Sequence, residues 1–387
     1  MIYTIKKAMV IGSGIMGAGI AGHLANAGIP VYLLDIVPDT LTPEEEKKGL
    51  TLDHPKVRNR IVEQGLAFLK KSRPPSLFSP TKMELITPGN LEDHFGWAGE
   101  VDWIIEVVVE NLEVKQEVMA RIENARRKGC IVSTNTSGIP VHRIAEGRTE
   151  EFKAHFLGTH FFNPARYLKL LELIPTQDTD PDLVAFMKGF GERRLGKTAV
   201  IAKDTPNFIA NRVGVVSGRA TLNHALTHDY TIEEVDAVTG PLIGHPKTAT
   251  FRLMDLVGAD ISKHVSNNLY EAIPHDPFRG QLLGPIKDVT ERMVAQGFLG
   301  NKSGQGFYRK VKGVDGKKAY QVLDPKTLTY RDQQQPEIPV IDEAMKIKPL
   351  SERFRFLVAQ KDRYSSLVWH DVAFAFSYCS HLAPEIS

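Results

Sequence analysis

The chain has 387 residues, a formal net charge of +2 at pH 7 and hydrophobic residues at 42% of positions, which is ordinary for a globular protein. This length suggests two or three domains, and the small basic excess argues against nucleic acid as a partner. The two cysteines, Cys130 and Cys379, are too far apart in sequence for a disulfide framework or a metal-ligand pattern. We therefore expect no metal site and a reducing compartment.

Membrane insertion and export are also not expected. No apolar run reaches the roughly 18 residues that a membrane span needs. The first predicted strand begins within a few residues of Met1, which leaves no room for a signal or transit peptide. These features predict a cytoplasmic protein.

The first predicted elements are a strand, a glycine-rich turn, a helix and a second strand, in "VIGSGIMGAGIAGHLANAGIPVYLLDI". Gly12 permits a tight turn, Gly14 lets backbone N–H groups approach a pyrophosphate, and Gly17 lets the helix pack closely. Asp35 follows about 20 residues later, as a dinucleotide fingerprint requires, and would bind the ribose hydroxyls. Its carboxylate would repel a 2′-phosphate, so NAD is favoured over NADP. The alternative is a glycine-rich turn of another α/β protein, with Asp35 only capping a loop.

Residues 37–88 interrupt the strand and helix alternation with a charged, proline-rich segment. Within it, "KVRNRIVEQGLAFLKK" has helical apolar spacing and predicts a helical arm at about residues 40–75. Lys70, Lys71 and Arg73 at its end would suit a phosphate-bearing ligand. We favour the other interpretation, a solvated helix end whose charges compensate the helix dipole.

The alternation resumes with four β-rich runs, "VDWIIEVVVEN", "CIVSTNTSG", "HFLGTHFF" and "YLKLLELIP", followed by a helix at 181–194 and the strand "TAVIA". The nearly continuous apolar character of the first run is typical of a parallel strand covered on both faces. Ligands bind at the carboxyl ends of such strands, which is where Glu110, Ser137 and His160 fall.

The segment "KDTPNFIANR" predicts a domain boundary, after which helical patterns dominate, with Phe208, Ile209 and Val213 on one helix face. A polar, turn-rich stretch follows the helices from residue 311, and amphipathic helices return near the end. We predict an α/β, doubly wound Rossmann-type NAD domain, an all-helical substrate or dimerisation domain, and a linker with a short helical appendage, a partial second helical domain. The corresponding ranges are 1–205, 206–310 and 311–387.

A histidine and a carboxylate, His160 and Glu172, lie on two successive strand-like runs joined by the turn-forming Asn163-Pro164. Two such strands side by side would bring imidazole and carboxylate together. An ionised carboxylate in an apolar run is costly unless it is paired. The spacing alone fits a general base with its orienting acid as well as a buried structural pair. The cofactor motif upstream favours the base, because oxidation of an alcohol by a nicotinamide requires removal of the O–H proton.

Six motifs occur in an order that resembles the L-3-hydroxyacyl-CoA dehydrogenase family over residues 1 to about 310: "GSGIMGAGIA", "VVVENLEVK", "NTSG", "HFFNP", "KDTPNFIANR" and "GQGFY". The resemblance implies oxidation of the 3-hydroxyl of S-configured acyl-CoA thioesters with NAD, in fatty-acid β-oxidation. The match is closer to long bacterial proteins in which this dehydrogenase is fused to an enoyl-CoA hydratase module.

The resemblance also implies the residues of the site. His160 would be the general base and Glu172 its orienting partner, while Ser137 and Asn211 would surround substrate and nicotinamide. The implied cofactor contacts are Gly12, Gly14, Gly17, Asp35, Glu110, Lys115, Asn163 and Lys302. An exposed helix lysine is an equally good interpretation of Lys115. Without the resemblance, Ser137 is a turn residue and Asn211 hydrogen-bonds at a helix start.

The chain departs from the family in two places. "GPLIGHPKTATFRLMD" replaces a Gly/Pro-rich segment and carries Lys247, Thr248 and Arg252, so acyl or CoA contacts are expected to differ. Residues beyond 310 are absent from stand-alone members. We expect helices 341–386 to pack on the 206–310 domain and cover apolar surface that would otherwise form a homodimer interface. A homodimer, or docking to a hydratase module, is the partner that the resemblance implies besides the acyl-CoA substrate.

Two other classes of protein remain as alternatives. One is a β-hydroxyacid dehydrogenase that acts on a small free acid, but this class uses a catalytic lysine and lacks the histidine–glutamate pair. The other is a non-catalytic, structural NAD-binding relative. Such a role would not require His160, Glu172, Ser137 and Asn211 together.

Overall fold

A computed structural model describes residues 3–312 and 316–386. The chain divides into two compact units, the first comprising Met1–Ile209 with Glu385–Ser387 and the second Ala210–Pro384. The first division falls within four residues of the predicted boundary at 205. Among the described residues, no helix combines the length and the apolar character needed to cross a bilayer.

The first unit is built on one eight-stranded sheet of order β3-β2-β1-β4-β5-β6-β7-β8. Strands β1 to β6 run parallel, β7 is antiparallel to β6, and β8 is parallel to β7. This arrangement confirms the predicted doubly wound α/β class. The strands are β1 (Ala8–Ile11), β2 (Val31–Asp35), β3 (Ile86–Asn90), β4 (Trp103–Glu106), β5 (Ile131–Thr134), β6 (Phe156–Phe161), β7 (Leu170–Pro175) and β8 (Thr198–Ile201).

Helices cover both faces of this sheet, and the predicted arm is three short helices rather than one. Pro55 begins the second of these helices, and Asn59 separates it from the third. The last one buries Val62, Leu66 and Leu69 against the core of the unit. The helices are α1 (Ile15–Asn26), α2 (Pro43–Lys47), α3 (Pro55–Arg58), α4 (Arg60–Lys71), α5 (Leu112–Ala125), α6 (Val141–Ile144), α7 (Glu150–Ala154) and α8 (Pro181–Arg193).

The predicted helix face around the domain boundary is wrong. Asn207 and Phe208 adopt positive φ angles of 60° and 52°, so they cannot continue a right-handed helix. Phe208 is fully buried in the core of the first unit, and Ile209 packs against the same cluster. The helix therefore starts only at Ala210.

The second unit contains eight helices and a three-stranded antiparallel sheet among its described residues. The helices are α9 (Ala210–Thr227), α10 (Ile232–Val238), α11 (Phe251–Val257), α12 (Ala259–Ala272), α13 (Pro285–Ala295), α14 (Pro339–Lys346), α15 (Leu350–Ala359) and α16 (Arg363–Ile386). The strands are β9 (Tyr308–Lys312), β10 (Lys318–Leu323) and β11 (Tyr330–Asp332).

The sheet corrects the prediction of a polar linker after residue 310, because β10 and β11 lie within that stretch. The predicted helical domain before it is confirmed. Tyr308 is opposite Val322 across β9 and β10, and both side chains are buried. Leu323 is buried beside them, but the other β10 residues are polar or only partly buried. The alternating apolar pattern is therefore too short to be recognised in the sequence.

Residues after 310 are also not a separate helical domain. Leu357 and Leu367 share one hydrophobic core with Leu222 and Ile232. The predicted packing of the last helices onto the preceding domain is confirmed. Two apolar side chains of α16 remain largely exposed, Trp369 at 56% and Phe376 at 72%.

Candidate active site

The glycine turn between β1 and α1 is shaped to accept a phosphate group. Gly12 has a φ of +101°, and a side chain at this position would collide with the carbonyl of Val107. A Cβ at Gly17 would collide with the carbonyl oxygen of Gly12, which shows how closely helix and turn pack. A Cβ at Gly14 meets no atom within 4 Å, so this residue faces open space at the start of α1. The turn therefore fits a pyrophosphate at the positive end of the helix.

Asp35 ends β2 beside this turn. Its Oδ2 accepts hydrogen bonds from the amide of Ser13 at 2.5 Å and from the Ser13 hydroxyl at 2.6 Å. The amide of Ile36 donates to Oδ1 at 2.8 Å. The carboxylate is thus held at the edge of the turn, half-buried, where the ribose of a dinucleotide is predicted.

His160 and Glu172 form a buried pair. They are opposite each other across β6 and β7, and His160 Nδ1 is 2.6 Å from Glu172 Oε2. The other oxygen of Glu172 accepts the amide of Ile209 at 3.1 Å. Phe162 and Phe208 flank the imidazole at ring-centroid distances of 4.3 and 5.8 Å. Glu172 fixes the imidazole orientation, and His160 is only 3% exposed.

Ser137 lies beyond β5, with its hydroxyl 3.1 Å from His160 Nε2. Glu110 holds this loop, because its Oε1 accepts the Ser137 amide at 2.9 Å and the Gly138 amide at 3.2 Å. Burial works to raise the pKa of Glu110, but the charge of Lys115 and the hydrogen bonds to the loop outweigh it and lower that pKa. Glu110 after β4, Ser137 after β5 and His160 within β6 therefore form one connected network.

Lys115 is buried, so the interpretation as an exposed helix lysine is wrong. Its ammonium lies 2.7 Å from Glu106 Oε1 and 3.3 Å from Glu110 Oε2. Glu106 is fully buried and also accepts the Thr134 hydroxyl at 2.6 Å and the Val108 amide at 2.7 Å. Glu106 was not among the predicted site residues. The signal was present, since an acid inside the apolar run "WIIEVVV" requires a cationic or hydrogen-bonding partner.

The remaining predicted residues form no hydrogen bond or ion pair with this network in the described part of the chain, and two of them belong to the second unit. Asn163 is exposed in the turn between β6 and β7. Asn211 is in the first turn of α9, in the second unit, and is half-buried. Lys302, also in the second unit, pairs with Asp260 at 2.5 Å and is 43% exposed. Arg252, from the segment that departs from the family, stacks over Tyr308 at 4.0 Å.

Comparison with known proteins gives the family. The description "3-hydroxyacyl-CoA dehydrogenase, NAD binding domain" matches residues 7–205, and "3-hydroxyacyl-CoA dehydrogenase, C-terminal domain" matches residues 208–310. The chain therefore belongs to the 3-hydroxyacyl-CoA dehydrogenase family, as the motifs indicated, and its first unit is the NAD-binding domain of that family.

Individual relatives of this chain carry names that agree with this family. A probable 3-hydroxyacyl-CoA dehydrogenase of Bacillus subtilis is 50% identical over 99% of this chain, and the chain spans 48% of that protein. A putative fatty acid oxidation complex trifunctional enzyme of Rickettsia felis is 36% identical over 86% of this chain, which spans 44% of it. The crystal structure of FadB2 from M. tuberculosis superposes with a TM-score of 0.62 at 29% identity, covering 80% of this chain and 100% of that one. The chain thus spans about half the length of both curated relatives.

Proposed function

We propose that the chain catalyses the NAD-dependent oxidation of (S)-3-hydroxyacyl-CoA to 3-ketoacyl-CoA. The observation that carries this proposal is the buried pair of His160 and Glu172, whose Nδ1 and Oε2 atoms lie 2.6 Å apart. Family membership supplies the reaction class. The name of the Rickettsia relative supports a place in fatty-acid oxidation.

The pair is suited to remove a hydroxyl proton. An ionised Glu172 accepts Nδ1–H, which leaves the lone pair of Nε2 available on the side of the Ser137 hydroxyl. Nε2 takes the proton of the substrate 3-hydroxyl, and Glu172 stabilises the imidazolium that forms. Ser137 lies 3.1 Å from Nε2 and would hydrogen-bond the same substrate oxygen, as would Asn211.

The cofactor would be held by the turn of Gly12, Gly14 and Gly17, with Asp35 on the ribose. NAD, when bound, supplies the hydride acceptor. The open space beside Gly14 supports this assignment. The predicted cofactor contacts also include Glu110, Lys115, Asn163 and Lys302. Glu110 and Lys115 would act through the loop that Glu110 holds. A homodimer, or docking to a hydratase module, remains the predicted partner.

The test is the oxidation of NADH in the presence of acetoacetyl-CoA, measured as the loss of NADH absorbance. The assay is repeated with NADPH and with a longer 3-ketoacyl-CoA. We expect turnover with NADH, much less with NADPH, and turnover lower by about 10²- to 10⁴-fold in His160→Gln. NADH binding without turnover of any ketoacyl-CoA would contradict the proposal and favour a non-catalytic relative.

A further inference from the structure

Glu106 is a buried carboxylate that the proposed mechanism does not use. It is the last residue of β4, and it is fully buried, as are Ile104 and Ile105 before it in the strand. An ionised carboxylate in such surroundings is costly unless a cation and hydrogen-bond donors surround it. The groups that Glu106 binds therefore show what it holds in place.

Among the described residues, three groups donate hydrogen bonds to the two oxygens of Glu106. Oε1 accepts from the Lys115 ammonium and from the Val108 amide, both at 2.7 Å. Oε2 accepts from the Thr134 hydroxyl at 2.6 Å. The Lys115 side chain is itself only 1% exposed, so the ion pair lies inside the first unit, where it is screened little by water.

The Lys115 ammonium also contacts the carboxylate of Glu110. Its nitrogen lies 2.7 Å from Glu106 Oε1 and 3.3 Å from Glu110 Oε2. A lysine side chain is a flexible stem with a charge at its end, so the closer contact decides where that charge lies. Glu106 therefore holds Lys115 from the interior of the sheet, and Lys115 in turn attracts the Glu110 carboxylate.

Glu110 passes this constraint to the loop that follows β5. Its Oε1 accepts the Thr136 hydroxyl at 2.5 Å and the Ser137 amide at 2.9 Å. The Ser137 hydroxyl lies 3.1 Å from His160 Nε2. A continuous series of polar contacts within the first unit therefore joins Glu106 to the imidazole of the proposed base.

We infer that Glu106 is a positioning residue that acts through Lys115 and Glu110. It keeps the Ser137 hydroxyl at the distance from His160 Nε2 at which both groups can meet one substrate oxygen. Its effect on turnover rests on the proposed function, whereas its effect on the geometry of the loop does not. A misplacement of about 1 Å can cost about 10²-fold in rate, so turnover reports the position of the hydroxyl.

A double-mutant cycle tests the inference. Glu106→Gln keeps the shape of the side chain and removes its charge, which releases Lys115. With NADH and acetoacetyl-CoA, we expect kcat to fall about 10-fold. In a Ser137→Ala background the same substitution should lower kcat by less than about 2-fold, because the hydroxyl to be positioned is absent. Equal losses in the two backgrounds would overturn the inference.

The imidazole of His160 gives a readout that does not require turnover. The chain has 13 histidines, so with isotopically labelled histidine the Nε2 resonance of His160 is identified by its absence in His160→Gln. We expect Glu106→Gln and Ser137→Ala both to shift this resonance, because both disturb the contact at 3.1 Å. An unshifted resonance in Glu106→Gln would overturn the inference. A parent chain that fails to turn over acetoacetyl-CoA would count against the proposed function alone, and the resonance would then decide.

Ser133→Ala is the matched control. Ser133 is a fully buried residue of β5, and its hydroxyl accepts hydrogen bonds from Trp103 at 2.9 Å and Thr159 at 2.8 Å. These contacts are not part of the series that leads from Glu106 to His160. We expect Ser133→Ala to leave the His160 resonance in place and to change kcat by the same factor with and without the Ser137 hydroxyl.

A conservative variant separates the charge of Glu106 from its reach. Glu106→Asp keeps the charge on a shorter side chain and should retain part of the kcat that Glu106→Gln loses. Circular dichroism and urea unfolding establish that each variant is folded. If Glu106→Gln does not fold, Glu106→Asp takes its place, with a smaller loss of kcat and the same dependence on Ser137.

Discussion

His160 and Glu172 are directly opposite residues of two antiparallel strands, and their side chains leave the same face of the sheet. The distance of 2.6 Å between Nδ1 and Oε2 is therefore set by strand register rather than by a loop. A slip of one residue would turn one of the two side chains to the other face. The pair is as rigid as the sheet that carries it.

Replacement of the proposed base should lower turnover strongly while NAD binding persists. We expect His160→Gln to lower kcat by about 10²- to 10⁴-fold, because the proton must then leave without an acceptor at Nε2. NADH affinity, measured by fluorescence titration, should be nearly unchanged. His142→Gln is the matched control, since His142 is exposed and paired with Asp204 in the same unit. Equal losses of turnover and NADH affinity would refute the role of His160.

Replacement of the orienting acid should be milder. Glu172→Gln keeps an acceptor for Nδ1–H but removes the charge that stabilises the imidazolium, so we expect a loss of about 10- to 100-fold in kcat. Steady-state rates over a range of pH should show a displaced profile, because the basicity of the proposed base changes. A loss as large as that of His160→Gln, with no change in the profile, would indicate disruption of the fold instead.

Alanine variants at two glycines of the phosphate turn should affect different properties, one the stability of the fold and the other cofactor binding. In Gly17→Ala the new methyl group collides with the carbonyl of Gly12, which should cost about 1–3 kcal/mol in urea unfolding. In Gly14→Ala the methyl group meets no atom within 4 Å, so stability should change by less than about 0.5 kcal/mol. It would nevertheless fill the space predicted for the pyrophosphate and weaken NADH binding. Unchanged NADH affinity in Gly14→Ala would place the cofactor elsewhere.

The two predicted cofactor lysines should differ in their effect on folding. Lys115→Met leaves the buried Glu106 without its ion-pair partner and should cost about 3–5 kcal/mol. Lys302→Met breaks a pair in which Lys302 is 43% exposed, and should cost about 0–1 kcal/mol. Chemical denaturation of both variants gives the free energies of unfolding that are compared. Similar losses in the two would show that the buried pair contributes no more than the exposed one.

His224 should make the second unit less stable in mild acid. His224 is stacked between His228 and His370, with ring centroids 4.1 and 3.9 Å away. Burial, together with the charges of His370 and His228, lowers the pKa of His224 to about 4. At this position the unfolded chain takes up a proton before the folded chain does, so the contribution of His224 to stability falls as the pH drops from about 6.5 towards 4. Asp236 and Asp255 of the same unit, whose pKa values burial raises to about 6, act in the opposite direction.

Thermal unfolding midpoints across this pH range measure the effect. His224→Phe should flatten the dependence, whereas replacement of the exposed His275 should not. An equally steep dependence in His224→Phe would assign the acid sensitivity to other groups.

The sequence predicts those parts of the molecule whose signals are local. The turn from Gly12 to Gly17 and the pairing of His160 with Glu172 depend on short patterns, and the structure has both. Strand β3 was missed, because an edge strand reading "ITPGN" tolerates the proline and glycine that argue against a strand. Phe208 was misassigned, since its positive φ depends on the tertiary core that buries it.

The shared hydrophobic core of the second unit has a consequence for where the protein can be divided. The family match ends at residue 310, yet Leu323 donates its amide to the carbonyl of Phe307 at 2.9 Å, and Val322 and Leu367 complete the core around Phe251. Residue 310 thus ends the match to the family description and does not end a unit that unfolds cooperatively. A chain trimmed at that point would expose its interior, so the additional residues act as an obligatory part of one folding unit.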